Sequence, residues 1–494
     1  KTSDMFRKSI TALIALAIFS LSVRGQNGQP LYYMNLPQNH LFNPALRPSN
    51  NFYLGIGITG INVNVNNNFF NLSDVLIPGA TDSLITFLHP DYDINKFLGT
   101  LKKSNFLTPG FNLQLFGLGF NAGNDLYISL DIIERVEGNI SVPGDLLRLG
   151  LGGNEDFVGK TIDLNSLNAG LIWYREASLG FSKLAGEKLR IGARAGILFG
   201  MAGLNLDNRS LSLTVNDDYT HTFNANLMAN LSGPVEVYFD ADNNPDSLCF
   251  DEEVLKSASF YLNTRNMGFG LDLGAVYSIS RKLSVSAAVT GLGFIKWKDR
   301  ITNMKAESQF TFSGFSVDDV VNGSKTFDEL ADEMLDSLKN SFVYEDDNKP
   351  FTTMLHPSVI LGASYNLTEK FGFGLLSQTI FAGGGMRESL TLSANLNLGN
   401  SLSLTAAYTA ANHRYDNLGA GLAFRLGMMQ IYLITDQIPV YWNRITSEGS
   451  SYPLPANWNK LNLRLGINMV LGNNVKKKND KPMLVIDQQD KIKK

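Results

Sequence analysis

Apolar and polar residues alternate with a period of two over long stretches of this chain, and no other property of the sequence restricts its fold as much. Leu189, Ile191, Ala193, Ala195, Ile197 and Phe199 are interleaved with Arg190, Gly192, Arg194 and Gly196. Leu390, Leu392, Ala394, Leu396 and Leu398 alternate with Thr391, Ser393, Asn395 and Asn397, and the last such run sets Leu461, Leu463, Leu465, Ile467, Met469 and Leu471 against Asn462, Arg464, Gly466 and Asn468. A period of two describes a strand with one apolar and one polar face, not a helix. Strands in soluble sandwiches run about five or six residues, whereas about nine to eleven tilted residues cross a hydrocarbon layer. These runs, at about nine to thirteen residues, fit the second case. An open sheet in lipid would leave unpaired backbone groups at its edges, so the sheet must close. The expected fold is therefore all-β: a closed antiparallel transmembrane β-barrel of 14 to 16 strands in the cell outer membrane, with long extracellular loops and a short loop helix.

Composition agrees. Only 18% of the 494 residues are charged, against roughly 25% in soluble domains. The formal charge of -4 and the lack of a basic, aromatic-interleaved segment give no case for nucleic acid. Met5-Phe6-Arg7-Lys8-Ser9, an apolar run from Ile10 to Leu21 and the small residues near Gly25 describe a secretory signal peptide over 1–25, cut before Gln26. No later stretch is long and apolar enough for a spanning helix. A periplasmic N-terminal segment is expected over 26–50, the barrel over 51–472, and a flexible periplasmic tail over 473–494, which carries Lys476-Lys477-Lys478.

Sixteen candidate strands follow from the alternation: 52–61, 110–120, 125–134, 169–181, 189–199, 211–216, 219–229, 268–279, 283–295, 358–367, 371–381, 390–398, 402–408, 418–426, 430–438 and 461–471. If the weak hairpin over 211–229 lies in an external excursion, the count is fourteen. The strand-like stretch 302–315 would break parity and is placed outside the barrel. Extracellular insertions are expected near 62–109, 230–267 and 296–356. Within the third, Phe327, Leu330, Met334, Leu335 and Leu338 share one face of an amphipathic helix over 327–342, a candidate surface for a partner.

Candidate chemistry is sparse. Asp240, Asp242, Asn244, Asp246 and Asp251 have the spacing of a calcium loop, but Pro245 stands where a sharp turn needs Gly and position 12 is Asp, which favours a solvated acidic loop. Lys188, Arg190 and Arg194 would line one stripe of the lumen and Arg464 another, with ion pairing to acids such as Asp131 and Asp272 expected ahead of anion conduction. The five histidines show no zinc spacing and no Gly-x-Ser-x-Gly elbow occurs, so neither an enzyme nor a cofactor is expected.

Phe42-Asn43-Pro44-Ala45, just before the first strand, follows the lead Leu36-Pro37-Gln38-Asn39-His40-Leu41. Together with the signal peptide and the barrel cadence, this resembles Bacteroidota outer-membrane proteins of the PorP/SprF-like group, or a neighbouring group of FadL-like barrels. The motif continues as Leu46-Arg47-Pro48 where that group more often has Tyr-Ala-Gly, and a polar tail follows the last strand. The resemblance implies a barrel that holds a secreted or cell-surface partner of type IX secretion or gliding machinery. The alternative it leaves open is a FadL-like transporter of a hydrophobic or small polar ligand.

Overall fold

The computed structural model describes residues 29–472 apart from 79–83, 124, 240–244, 313–341, 346–348, 383–384, 400, 412–413, 448–449 and 457–458. Fourteen antiparallel staves form one closed ring. In chain order they are β1 (Phe52–Asn67), β2 (Ser104–Ala122), β3 (Leu126–Pro143), β4 (Asn168–Ala185), β5 (Leu189–Val215), β6 (Met267–Ser278) and β7 (Leu283–Trp297). The ring continues with β8 (Ser358–Asn366), β9 (Phe371–Ala382), β10 (Gly385–Leu398), β11 (Leu402–Ala411), β12 (Arg414–Leu426), β13 (Met429–Thr435) and β14 (Lys460–Leu471). Closure comes from β1 pairing β14, with Phe52 opposite Leu471 and Asn66 opposite Lys460.

The alternation sorts side chains as the closed sheet requires. Leu392, Leu404 and Leu465 point outward and are 55%, 37% and 37% exposed, so they are not trapped between two sheets. Ser393 and Thr405 beside the first two, and Asn468 further along β14, are buried toward the lumen. An outward apolar belt around a polar interior belongs in lipid, and the protein is an outer-membrane barrel.

The hairpin over 211–229 does lie outside the ring. β5 is 27 residues long; its lower half pairs β6, while its upper half leaves the barrel to pair a strand at His221–Ser232. That strand pairs Ile301–Phe312, which in turn pairs Phe342–Glu345, so an external sheet stands on the long-loop end. Residues 302–312 of the stretch placed outside the barrel belong to this sheet, and 313–315 lie outside the described residues.

Several staves run further than the sequence suggests, three of them around the first excursion. β1 continues through the Asn-rich stretch to Asn67, β2 begins at Ser104, and β3 reaches Pro143. The excursion expected from residue 62 therefore starts at 68. Asn62, Asn64 and Asn66 are buried in the lumen while Val63 and Val65 share the opposite face, so the run is a strand with an amide-lined inner side. A bulge interrupts β1 between Ile56 and Gly60, where Gly57 has φ +81° and the buried Thr59 donates its hydroxyl to the Gln114 carbonyl at 2.8 Å.

Short turns at 186–188, 279–282 and 367–370 share one end with both barrel termini. The far end carries the long loops. Part of one loop drapes down the outer wall: Glu134 and Arg175 face outward as a 2.7 Å ion pair, and Phe260 and Tyr261 pack edge-on against the neighbouring Trp173.

Candidate functional site: the plugged lumen

The lumen is not empty. Residues 29–51 thread it from Gln29, near the far ends of β12 and β13, down to Asn51, whose N–H donates to the Leu471 carbonyl at the short-turn end. Two 3-10 turns, Gln29–Tyr33 and Pro37–Leu41, compact the segment. Leu31, Tyr32, Met34, Leu36 and Leu46 form a buried cluster with the inward side chains Val276, Ala288, Ile360, Leu376 and Ile434 of the wall.

Wall glycines make room for it. A Cβ on Gly374 would come within 2.4 Å of the Tyr33 ring, one on Gly192 within 2.3 Å of the Pro44 backbone, and one on Gly274 within 2.0 Å of Asn43 Oδ1. Polar contacts then fix the register. Tyr33 donates its hydroxyl to the Leu375 carbonyl at 2.6 Å, and Gln38 and Asn468 exchange side-chain amide bonds at 2.7 and 3.0 Å. His40 sits between two acceptors, Asp131 Oδ2 at 2.7 Å from Nε2 and the Pro37 carbonyl at 2.5 Å from Nδ1. Asp131 also accepts from Gln114 Nε2 at 2.8 Å and from the Tyr53 hydroxyl at 3.1 Å.

The N-terminal motif is part of this plug. Asn43 accepts from the Ala45 N–H at 2.9 Å and donates to the Tyr32 hydroxyl at 3.1 Å, and the Ala45 carbonyl accepts from Ser182 at 3.0 Å. Pro44 lies against Gly192. The motif thus docks on β4 to β7.

The four lumen cations fare differently. Arg194 Nε donates to Asp272 at 2.8 Å, and its Nη1 lies 3.1 Å from Glu176. Arg190 bonds the Ser182 carbonyl at 3.2 Å, and Lys188 is half-buried in a short turn. Asp131, expected to pair with an arginine, serves His40 instead, because the plug brings that imidazole to it. Arg464 stands over the Phe42 ring, 5.2 Å from its centroid.

Sequence reasoning missed Arg135, Glu137, Glu176 and His356. Arg135 Nε donates to Glu176 at 2.8 Å, and His356 reaches across the lumen to Glu137 at 3.2 Å. The available signal was the inward parity of Asp131, Arg135 and Glu137 along β3.

Of the acidic candidates, Asp240, Asp242 and Asn244 lie outside the described residues, as does the side chain of Asp246. Asp251 caps the short helix Glu252–Lys256, accepting from the Val254 N–H at 3.0 Å, and lies 3.7 Å from Arg300. Phe327, Leu330, Met334, Leu335 and Leu338 also lie outside the described residues. Among the described residues no cluster of three metal-ligating side chains occurs.

Three stacked cavities lead from the far mouth to the plug. The mouth is lined by Asn139, Asn168, Glu137 and His356; the middle one shares Glu137 and His356 with it and adds Glu176, Arg194 and Asp272. The lowest shares Arg135 and Thr290 with the middle one, encloses about 170 Å3, and has Gln38, Leu41 and Phe42 of the plug in its lining. The path therefore runs from a mouth where amides and Glu137 with His356 stand among apolar side chains such as Leu204, Leu355 and Met386, through a charged middle, to a floor made by the N-terminal segment.

A family model described as a family of unknown function, DUF5723, matches residues 44–436. No curated protein sequence matches the chain. Solved structures similar to it include a TodX monoaromatic hydrocarbon channel mutant, with 11% identity, coverage of 88% of this chain and 94% of that one, and TM-score 0.39. The Ralstonia pickettii toluene transporter TbuX is similar at 11% identity over 92% and 100% of the two chains with TM-score 0.38. A Pseudomonas aeruginosa FadL homologue matches at 11% identity over 91% and 97% with TM-score 0.39.

Proposed function

We propose that this chain, which belongs to the DUF5723 family, is an outer-membrane channel that admits a small solute from the long-loop side and holds it over a movable N-terminal plug. The observation that carries this reading is the stack of cavities ending on Gln38, Leu41 and Phe42. A barrel that served only as a rigid support would gain most from a filled lumen, since interiors normally pack without voids larger than a water. Here polar and charged side chains recur down the descent, and the floor is a segment held by a small apolar cluster together with hydrogen bonds to the wall. The test is solute flux into proteoliposomes. The wild type should pass small solutes slowly. Gly374→Val, which drives a side chain into the Tyr33 ring, should raise flux several-fold by loosening the plug. Equal flux in empty liposomes and in both proteins would overturn the proposal.

The external sheet of β5, His221–Ser232, Ile301–Phe312 and Phe342–Glu345 favours a second reading, in which a secreted or surface partner of the kind the PorP/SprF resemblance implies docks by adding a strand to an edge. Deleting that sheet should then release a co-purified protein without changing flux.

A further inference from the structure

The cavity over the plug has four polar residues in one cross-strand row. Strand register sets Arg464 of β14 opposite Asn62 of β1, Asn62 opposite Asn112 of β2, and Asn112 opposite Arg135 of β3. All four line the cavity. The two arginines flanking the row are electrically unlike. Arg135 is bound to Glu176, which also pairs Arg194, which also pairs Asp272. Arg135 and Arg194 are thereby held in a chain of ion pairs with Glu176 and Asp272 that does not extend to Arg464. Asp131 pairs with His40, and Asp436, which accepts from the N–H of Gln29, attracts Arg464 only from beyond ion-pair distance. Among the described residues Arg464 makes no ion pair or side-chain hydrogen bond, and its Nε is buried without an acceptor.

A guanidinium inside a barrel whose buried Nε–H has no acceptor is costly unless an anion meets it, and its planar fork suits a carboxylate held by two parallel bonds. The surroundings add an apolar half: Phe42, Ile360 and Tyr432 face the same space. At about 170 Å3 the cavity is close to the size that holds one benzene ring, about 150 Å3. We infer that this cavity binds a small organic monocarboxylate, its carboxylate on Arg464 beside the Asn62 amide and its apolar body against Phe42, Ile360 and Tyr432. The inference rests on the reading of the lumen as a solute path and adds the class of solute.

The test uses the full chain in a neutral maltoside detergent and calorimetric titration with benzoate, benzamide, benzylamine and acetate. Benzoate should bind at least tenfold more tightly than the other three, because only it supplies both the charge and the ring. Arg464→Gln should lower benzoate affinity tenfold or more and leave benzamide unchanged. Asn62→Asp, which supplies a carboxylate to Arg464 from the neighbouring strand, should do the same in a barrel that keeps its Arg464. Benzamide or acetate binding as tightly as benzoate, no benzoate binding at all, or unchanged benzoate binding by both variants in folded, heat-modifiable form would overturn the inference. Flux separates it from the channel reading: passage of neutral solutes with no benzoate preference overturns the carboxylate and keeps the channel, whereas benzoate binding without any flux keeps the carboxylate site and overturns the channel.

Discussion

At the scale of single residues, the plug depends on one buried carboxylate more than on any other polar group. Asp131 is fully buried and accepts from His40, Gln114 and Tyr53, which belong to the plug, β2 and β1. Removing a shared acceptor leaves each donor unsatisfied, at about 1–3 kcal/mol apiece. Asp131→Leu should therefore loosen residues 29–51, raise single-channel conductance in planar bilayers, and lower the temperature at which the barrel loses its folded gel mobility. Conductance equal to wild type would show that the apolar cluster alone holds the plug. The sequence placed Arg194 and Asp272 together in the lumen as a cation and an acid able to pair, because both sit on strands whose inward parity is plain, and the structure joins them. It did not reveal Asp131 with His40, because that contact joins a strand to a segment with no periodicity, 91 residues away. Arg464 was legible as a lumen cation, but its lack of an ion pair was not, since pairing depends on which acids the other arginines and the plug have already engaged.

At the scale of the strand, the outward and inward faces of β10 make opposite demands. Leu392 lies midway along it and Leu398 at its short-turn end, both facing outward. A lysine facing lipid costs about 2–4 kcal/mol at the midplane and about 0–1 kcal/mol near the interface. Leu392→Lys should accordingly destabilise the protein by about 2–4 kcal/mol in denaturant titrations from phosphatidylcholine vesicles, and Leu398→Lys by less than about 1 kcal/mol. Equal losses at both sites would contradict the depth assigned to β10. Strand existence was readable wherever leucine alternated with serine or asparagine, as in β10, β11 and β14. It failed in β1 beyond Ile61, where Val63 and Val65 are spaced among asparagines: the run looks like a polar loop until the lumen supplies a place for Asn62, Asn64 and Asn66. The hairpin over 211–229 was ambiguous for a related reason. Alternation marks a two-faced sheet and does not say whether its apolar face meets lipid or, as here, a small core of Leu211, Leu213, Val215, Phe223 and Leu227 against Leu149 and Ile162.

At the scale of the whole molecule, an even number of staves returns both barrel termini to one end, and the short turns share that end. In single-chain barrels of this kind short turns face the periplasm and long loops face outward. The orientation has a direct probe, because the chain carries one cysteine. Cys249 is exposed on the small hairpin of Val235–Phe239 with Pro245–Phe250, beyond the long-loop end of the barrel. On intact cells a membrane-impermeant maleimide should label it. In a Cys249→Ser background, Lys282→Cys places a thiol in the turn between β6 and β7, and that thiol should react only after the outer membrane is permeabilised. The reverse pattern would invert the barrel, put the mouth formed by Glu137, Asn139 and His356 on the periplasmic side, and turn the proposed entry route into an exit. The same orientation makes the plug reachable from within. Residues 29–51 join β1 at the short-turn end, so a periplasmic pull acts on the segment where it enters the wall, whereas a solute arriving from outside meets its upper surface. Entry and release are thereby assigned to opposite faces of one segment.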